Sequence, residues 1–182
     1  MRHEELLETV SVPEGCTIKV EDKKFFVKGP KGELSRVLPD KKIIVETGDG
    51  EVSLKYKNAT KREKRMLLTT KAHVKNLVKG VMDGFSYKLK ICSGHFPMNV
   101  SLKNNVFEIK NFIGEKVPRT LVIKEGVDVK VNGDEILVES LDKELAGQVA
   151  GRIENLTKRP NFDKRIFQDG IYIIEKDGKK IS

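Results

Sequence analysis

The sequence predicts an α+β protein of two tandem similar domains, each a small antiparallel sheet with one packed amphipathic helix, plus a C-terminal extension. Three observations carry this. First, FFVKGPKGELSRV (Phe25–Val37) resembles FEIKNFIGEKVPR (Phe107–Arg119), aligning Lys28 with Lys110, Gly32 with Gly114 and Glu33 with Glu115, all 82 residues apart. Second, Gly48–Lys61 resembles Asn132–Lys143, and each copy then enters a helical pattern. Third, both copies place short strand-like runs first and a helix last, an arrangement that buries the helix stripe on a sheet. The domains are therefore expected at residues 1–82 and 83–182.

In chain order, Thr17–Val20 and Lys24–Lys28 are short β-type runs, and Gly29-Pro30-Lys31-Gly32 has turn chemistry. Ile43–Glu46 and Glu51–Tyr56 flank Thr47–Gly50, where Gly48-Asp49-Gly50 signals a hairpin. A helix is expected from about Lys61 to Lys79, with Leu67, Thr70, Val74, Leu77 and Val81 in one apolar stripe. Lys71, Lys75 and Lys79 line another face. The link Asp83–Tyr87 contains the breaker Gly84, and Tyr87–Ile91 reads as the first strand of the second unit. Val106–Lys110, Val127–Val131 and Glu135–Glu139 follow, the last two joined by Asn132-Gly133-Asp134. A second helix spans about Lys143 to Lys158, with Asp142 at the N-cap and Leu145, Val149, Ile153 and Leu156 as its stripe. The extension holds a short strand, Ile171–Ile174, and turns at Asp169-Gly170 and Asp177-Gly178.

The chain has 182 residues, 35 Lys+Arg against 27 Asp+Glu, and a formal charge of +8. The excess is uneven. Residues 53–82 hold nine basic residues and one acidic, and residues 158–182 are net +3, while residues 111–157 are net −3. Two basic zones separated by an acidic stretch point to a polyanionic partner. No apolar run approaches the roughly 20 residues of a membrane helix, and MRHEELLETV at the N-terminus is acidic and lacks a signal-peptide core. Cys16 and Cys92 have no metal-ligand spacing and read as idle thiols. The histidines, His3, His73 and His95, form no ligand pair. There is no P-loop, nucleophile elbow or dinucleotide fingerprint. No catalytic, metal or cofactor residue is assigned.

Four features remain as candidates for chemistry. Gly29-Pro30-Lys31-Gly32 has the form of an RNA-clamping Gly-x-x-Gly loop, but strand-like runs flank it, which favours a hairpin turn. His95 and Phe96 sit in the irregular Ser93–Pro97 loop, either packing it or meeting an unpaired RNA base. Lys61, Arg62, Lys71, Lys75 and Lys79, with Lys64 and Arg65, make a basic helix face that is either simply solvated or a secondary RNA contact. Finally, Lys158, Arg159, Lys164 and Arg165 alternate with Pro160, Asn161 and Phe162, and Lys176, Lys179 and Lys180 follow Tyr172. Basic residues mixed with Asn, Phe and Tyr offer phosphate contacts and a few base or sugar contacts.

Several motifs together resemble one family, the universal large-subunit ribosomal protein L-six in its archaeal and eukaryotic form. Arg165-Ile166-Phe167-Gln168-Asp169-Gly170-Ile171-Tyr172 through Lys176 is similar to that form's signature, Arg-x-Phe-x-Asp-Gly-aliphatic-Tyr-aliphatic-x-x-basic. Gly84–Lys88 with His95–Val100, and Asn111–Lys116, resemble two further stretches. The bacterial Tyr-Lys-Gly-Lys-Gly ending is absent. The resemblance implies a structural constituent of the large subunit that binds large-subunit rRNA directly. Its seat would be the stalk base and sarcin–ricin loop, beside the docking site of translation GTPases. It implies a cytoplasmic protein, monomeric within the ribosome, with neighbouring ribosomal proteins and no membrane partner. Carried onto this chain, the contacts fall on Arg165 and Tyr172 and on His95, Phe96 and Asn99, with Asp169 a structural turn residue. Raw charge density points instead to the helix at residues 61–79; the signature outweighs it for the main contact. The alternatives are an RNA-processing or RNA-modifying enzyme, which needs a tuned catalytic cleft, and a protein–protein adaptor, which needs exposed apolar surface.

Overall fold

A computed structural model of the chain describes residues 3–40, 42–48, 50–163 and 165–181. They divide into two compact units, Met1–Gly84 and Phe85–Ser182. Unit 1 runs β1 (His3–Ser11), β2 (Thr17–Glu21), β3 (Lys24–Gly29), β4 (Gly32–Val37), β5 (Ile44–Gly48), β6 (Glu51–Ala59) and α1 (Lys61–Met82). Its strands form two antiparallel sheets, β2-β3-β4 and β1-β6-β5. Unit 2 repeats the series as β7 (Phe85–Cys92), β8 (Asn99–Lys103), β9 (Val106–Lys110), β10 (Arg119–Val122), β11 (Val127–Asn132), β12 (Glu135–Ser140) and α2 (Lys143–Leu156). The extension adds β13 (Gly170–Lys176) and β14 (Lys179–Lys180). Unit 2's sheets are β8-β9-β10 and β11-β12-β7-β13-β14.

The fold is thus α+β, but each repeat holds two sheets where one was expected. The reason lies in strands the sequence reading passed over. β1 is an antiparallel partner of β6 along most of its length, Leu6 facing Tyr56 and Val10 facing Val52. Its burial alternates, with Leu6, Glu8 and Val10 turned inward and Glu5, Leu7, Thr9 and Ser11 exposed, the period-2 geometry of a half-buried strand. β4, β8 and β10 were missed as well. Two hairpins turn on Asp22-Lys23 and Asn104-Asn105, a pair of positive-φ residues in each case, again 82 positions apart. The twist of such turns suits two-residue hairpins, although neither contains glycine.

Both helices begin as expected and end elsewhere. Thr60 caps α1: its hydroxyl oxygen accepts the Arg62 N–H at 3.3 Å, and Glu63 Oε2 accepts the Thr60 N–H at 2.9 Å, a capping box. The Thr60 hydroxyl, which also donates to Glu63 Oε2, and then the Thr60 N–H hold the Glu63 carboxyl below its ordinary pKa. α1 runs to Met82, beyond the expected end at Lys79, because Val78 and Val81 continue the buried stripe of Leu67, Thr70, Val74 and Leu77. Gly84, at φ +74°, then closes it by donating to the Gly80 carbonyl at 3.0 Å. α2 ends at Leu156 rather than Lys158, and its buried face is Ala146, Val149, Ala150 and Ile153. Leu145 and Leu156 lie only half-buried. The small residues let α2 lie close on β7, where Tyr87 Oη is 3.4 Å from the point a Gly147 Cβ would occupy.

Gly29-Pro30-Lys31-Gly32 is the β3–β4 turn, and it has a structural duty. It presses on the end of α1, where the Lys31 N–H donates to the Val81 carbonyl at 3.0 Å and Lys31 Nζ donates to the Asp83 carbonyl. A Cβ on Gly29 would stand 2.7 Å from Val81 Cγ2 and 2.9 Å from the Val81 carbonyl oxygen. In unit 2 the β9–β10 loop does the same work by other means. It is longer, so Gly114 lies in a 3-10 turn at Phe112–Gly114 and is no counterpart of Gly32, which opens β4. Arg119 stacks 4.4 Å over Phe112, pairs bidentately with Glu115 at 2.6 and 2.7 Å, and donates to the Leu156 carbonyl at 2.5 Å. A cation thus meets the negative end of each helix. Gly29→Ala should destabilise unit 1 by about 1–3 kcal/mol through overpacking. Gly151→Ala, in an open helical position, should stabilise unit 2 by about 0.5–1 kcal/mol. Urea unfolding of the two variants reads both signs.

Candidate nucleic-acid interface

The C-terminal extension is built into the sheet rather than laid on the surface. β13 pairs antiparallel with β7 from Gly170 opposite Cys92 to Lys176 opposite Tyr87, with a bulge between Ile173 and Glu175. Over its first half no strand among the described residues covers the other edge. Side chains of α2 and the residue after it take that place: Thr157 Oγ1 accepts the Ile171 N–H at 3.0 Å, and Glu154 Oε1 accepts the Ile173 N–H at 3.1 Å. Two amides that an exposed edge would leave unpaired are satisfied by the end of the helix. Ile171 itself is fully buried.

Asp169, just before β13, locks the extension to the His95 loop. Its carboxylate accepts the His95 backbone N–H at 2.9 Å and the imidazole Nδ1–H at 2.5 Å. Burial pushes the Asp169 pKa up, but the His95 and Gly94 N–H groups and the imidazole more than offset it, leaving the carboxyl below its ordinary value. The His95 ring packs on Phe167 with centroids 5.1 Å apart, Phe167 meets Phe162 edge-on at 5.2 Å, and the Arg159 guanidinium lies 4.0 Å over Phe162. Four π groups from two loops therefore form one continuous chain of contacts. The imidazole that the sequence left open between packing and base contact has an internal partner on Asp169 and one exposed face.

The remaining candidates fall in three places. Lys158, Asn161 and Arg165 are exposed on the α2–β13 loop, with Asn161 at φ +65°. Arg165 is 91% exposed, and its side chain pairs with Asp163 at 3.0 Å, which holds the Asp163 carboxyl low. Lys164 lies outside the described residues. Tyr172 stands on β13 beside the loop, its hydroxyl pKa raised by burial. Lys176, Lys179 and Lys180 cluster on the β13–β14 hairpin, whose Asp177-Gly178 turn has φ of 50° and 77°. Phe96 and Asn99 are exposed, in the loop before β8 and at its start.

On α1 the candidates separate. Lys61, Arg62, Lys75 and Lys79 are exposed, as are Lys64 and Arg65. Lys71 is turned inward to Glu8 of β1 at 2.6 Å and is a structural ion pair. No cluster of metal-ligating side chains occurs among the described residues, and no described helix is long and apolar enough to cross a membrane. Cys16 and Cys92 are free thiols. Sequence patterning does not reveal the Thr157, Glu154 and Arg119 scaffold, because its bonds join residues 14 to 37 positions apart and leave no periodic signal.

Because Asp169 titrates lower folded than unfolded, it stabilises the fold above the ordinary carboxylate pKa and ceases to do so as pH falls through its folded value. Asp169→Asn should cost about 1–3 kcal/mol at neutral pH. It should also remove the part of acid unfolding that sets in below about pH 4, read by thermal melts across pH. Equal losses for the variant and the parent at every pH would assign the effect to packing alone.

The comparisons agree with this architecture. The family model described as Ribosomal protein L6 matches twice, over residues 12–84 and 96–170, one match for each repeat. The large ribosomal subunit protein uL6 of Methanothrix thermoacetophila is 40% identical over 173 residues, covering 95% of this chain and 98% of the relative. The protein of the same name from Methanosarcina mazei is 42% identical over 172 residues, 94% of this chain and 98% of the relative. That of Methanococcus vannielii is 42% identical, with 94% of each chain covered. All three are named as ribosomal proteins and none as an enzyme. With both repeats matched and nearly the whole length aligned, the chain belongs to the ribosomal protein L6 family.

Proposed function

We propose that this protein is a non-catalytic, structural constituent of the large ribosomal subunit that binds large-subunit rRNA directly through the extension of unit 2. Its place is the cytoplasm, as a monomer within the ribosome, among neighbouring ribosomal proteins and near the stalk base where translation GTPases dock. One observation carries the RNA reading. Lys176 and Lys179 stand directly opposite each other in the β13–β14 register, while Lys180 lies opposite Glu175. Like charges directly opposed on a hairpin are destabilising. A phosphate backbone reverses the sign of that interaction and makes the arrangement favourable. Lys158, Arg159, Asn161 and Arg165 of the α2–β13 loop and Tyr172 of β13 add further candidate contacts, and His95, Phe96 and Asn99 belong to the loop that Asp169 ties to the extension.

A second, weaker RNA-binding surface on unit 1 has similar support. Lys61, Arg62, Lys64 and Arg65 crowd the first turns of α1, the positive end of the helix dipole, where cations are disfavoured. The acidic residue there, Glu63, is engaged by the capping box. With Lys75 and Lys79 they offer phosphate contacts but no base reading.

Lys176→Gln with Lys179→Gln should weaken binding to large-subunit rRNA. It should also make the line of log affinity against log salt shallower by roughly 0.7–0.9 for each phosphate that the variant no longer neutralises, while leaving the stability of the free protein unchanged or slightly higher. Nuclease protection by the parent should fall on the stalk-base and sarcin–ricin segments. An unchanged salt slope would remove the hairpin from the interface.

A further inference from the structure

We infer that the cleft on unit 2 beside the end of α2 holds a single unstacked base of the bound RNA, an inference that rests on the RNA reading above. The cleft has a volume of about 280 Å³ and is lined by Phe112, Ile113, Asn155, Phe162, Phe167 and Tyr172, among others. That volume lies just below the roughly 300–1,000 Å³ of ligand pockets and suits a small planar ring system. Four aromatic rings, Phe112, Phe162, Phe167 and Tyr172, line it among polar groups that include Glu154, Thr157 and Asp169, and RNA is read chiefly by splaying unpaired bases onto such rings.

The polar groups around the cleft are divided between those already bonded and those left to a ligand. Asp169 is taken by His95, Thr157 by Ile171 and Glu154 Oε1 by Ile173. The exposed amide of Asn155 carries both donors and an acceptor for a base edge, and the Tyr172 hydroxyl adds another. Lys158 and Arg159 stand on the same rim, where the sugar–phosphate of an inserted nucleotide must pass. Arg159 lies over the Phe162 ring and Phe162 meets Phe167 edge-on, so the aromatic wall is in place before any ligand arrives. An ordered wall costs a base little entropy on entry. The cleft therefore adds an aromatic contact that the exposed lysines of the hairpin lack.

The test fills the cleft without touching a charge. Asn155 is exposed on α2, so Asn155→Phe leaves the core intact while placing a ring in the cleft mouth. Phe162→Leu removes a stacking surface at similar polarity, and circular dichroism checks that both variants fold. Binding of the full chain to large-subunit rRNA is measured across salt, with chemical probing of unpaired bases. The expected result is a fall of about five- to a hundredfold in affinity for either variant, with the salt slope unchanged. One base silent in the parent complex should become reactive in both variants. Parent-like affinity and probing pattern in the folded variants, alongside normal binding by the parent, would overturn the cleft assignment and leave the RNA reading standing. Failure of the parent to bind rRNA would overturn both.

Discussion

The hydrogen bonds from Ile171 and Ile173 to Thr157 and Glu154 are the constraint on which the rest of unit 2 depends. A strand added to a sheet must satisfy its outer amides, and a buried N–H without a partner costs about 1–3 kcal/mol. In unit 1 the corresponding sheet ends at β1. In unit 2 the chain continues, and the helix end supplies two acceptors at the spacing of alternate strand residues. That bonding fixes where β13 starts, and so fixes Asp169, which fixes His95, on which Phe167 packs. The basic loop is held at both ends as a result, and its side chains are presented on a prearranged surface.

The duplication shows the same physical need met with different residues. Each helix ends in carbonyls that want donors and a cation, and in each repeat the loop after the third strand provides them. Unit 1 uses a tight turn, with Gly29 small enough to touch Val81 and Lys31 to reach beyond it. Unit 2 uses a longer loop, with Arg119 braced by Glu115 and Phe112. The requirement persists where the sequence does not, so Gly32 and Gly114 align in letters and diverge in space.

The same contrast between local and distant chemistry separates what was legible in the sequence from what was not. The repeat, the helix starts, the hairpin nature of the Gly-Pro-Lys-Gly segment and the folded state of the extension all rest on local chemistry, and local chemistry is written in neighbouring residues. β1 was missed because its charged residues mask a period-2 pattern; carrying the 82-residue offset back from β7 would have found it. The edge bonds from Thr157 and Glu154, and the inward turn of Lys71 to Glu8, depend on residues 14 to 63 positions apart. No spacing rule announces such pairings. Charge counting located both basic zones but could not say which cations were already paired.

The central claim is that the extension is an integral strand of unit 2 before any RNA arrives. Amide hydrogen exchange of the free, full-length protein tests it most directly. The Ile171 and Ile173 amides should be protected nearly as strongly as that of Leu89 in the neighbouring β7, with little change when rRNA is added. Exchange at the rate of an unstructured chain, with protection appearing only on adding RNA, would mean that the extension folds on binding and would contradict the account.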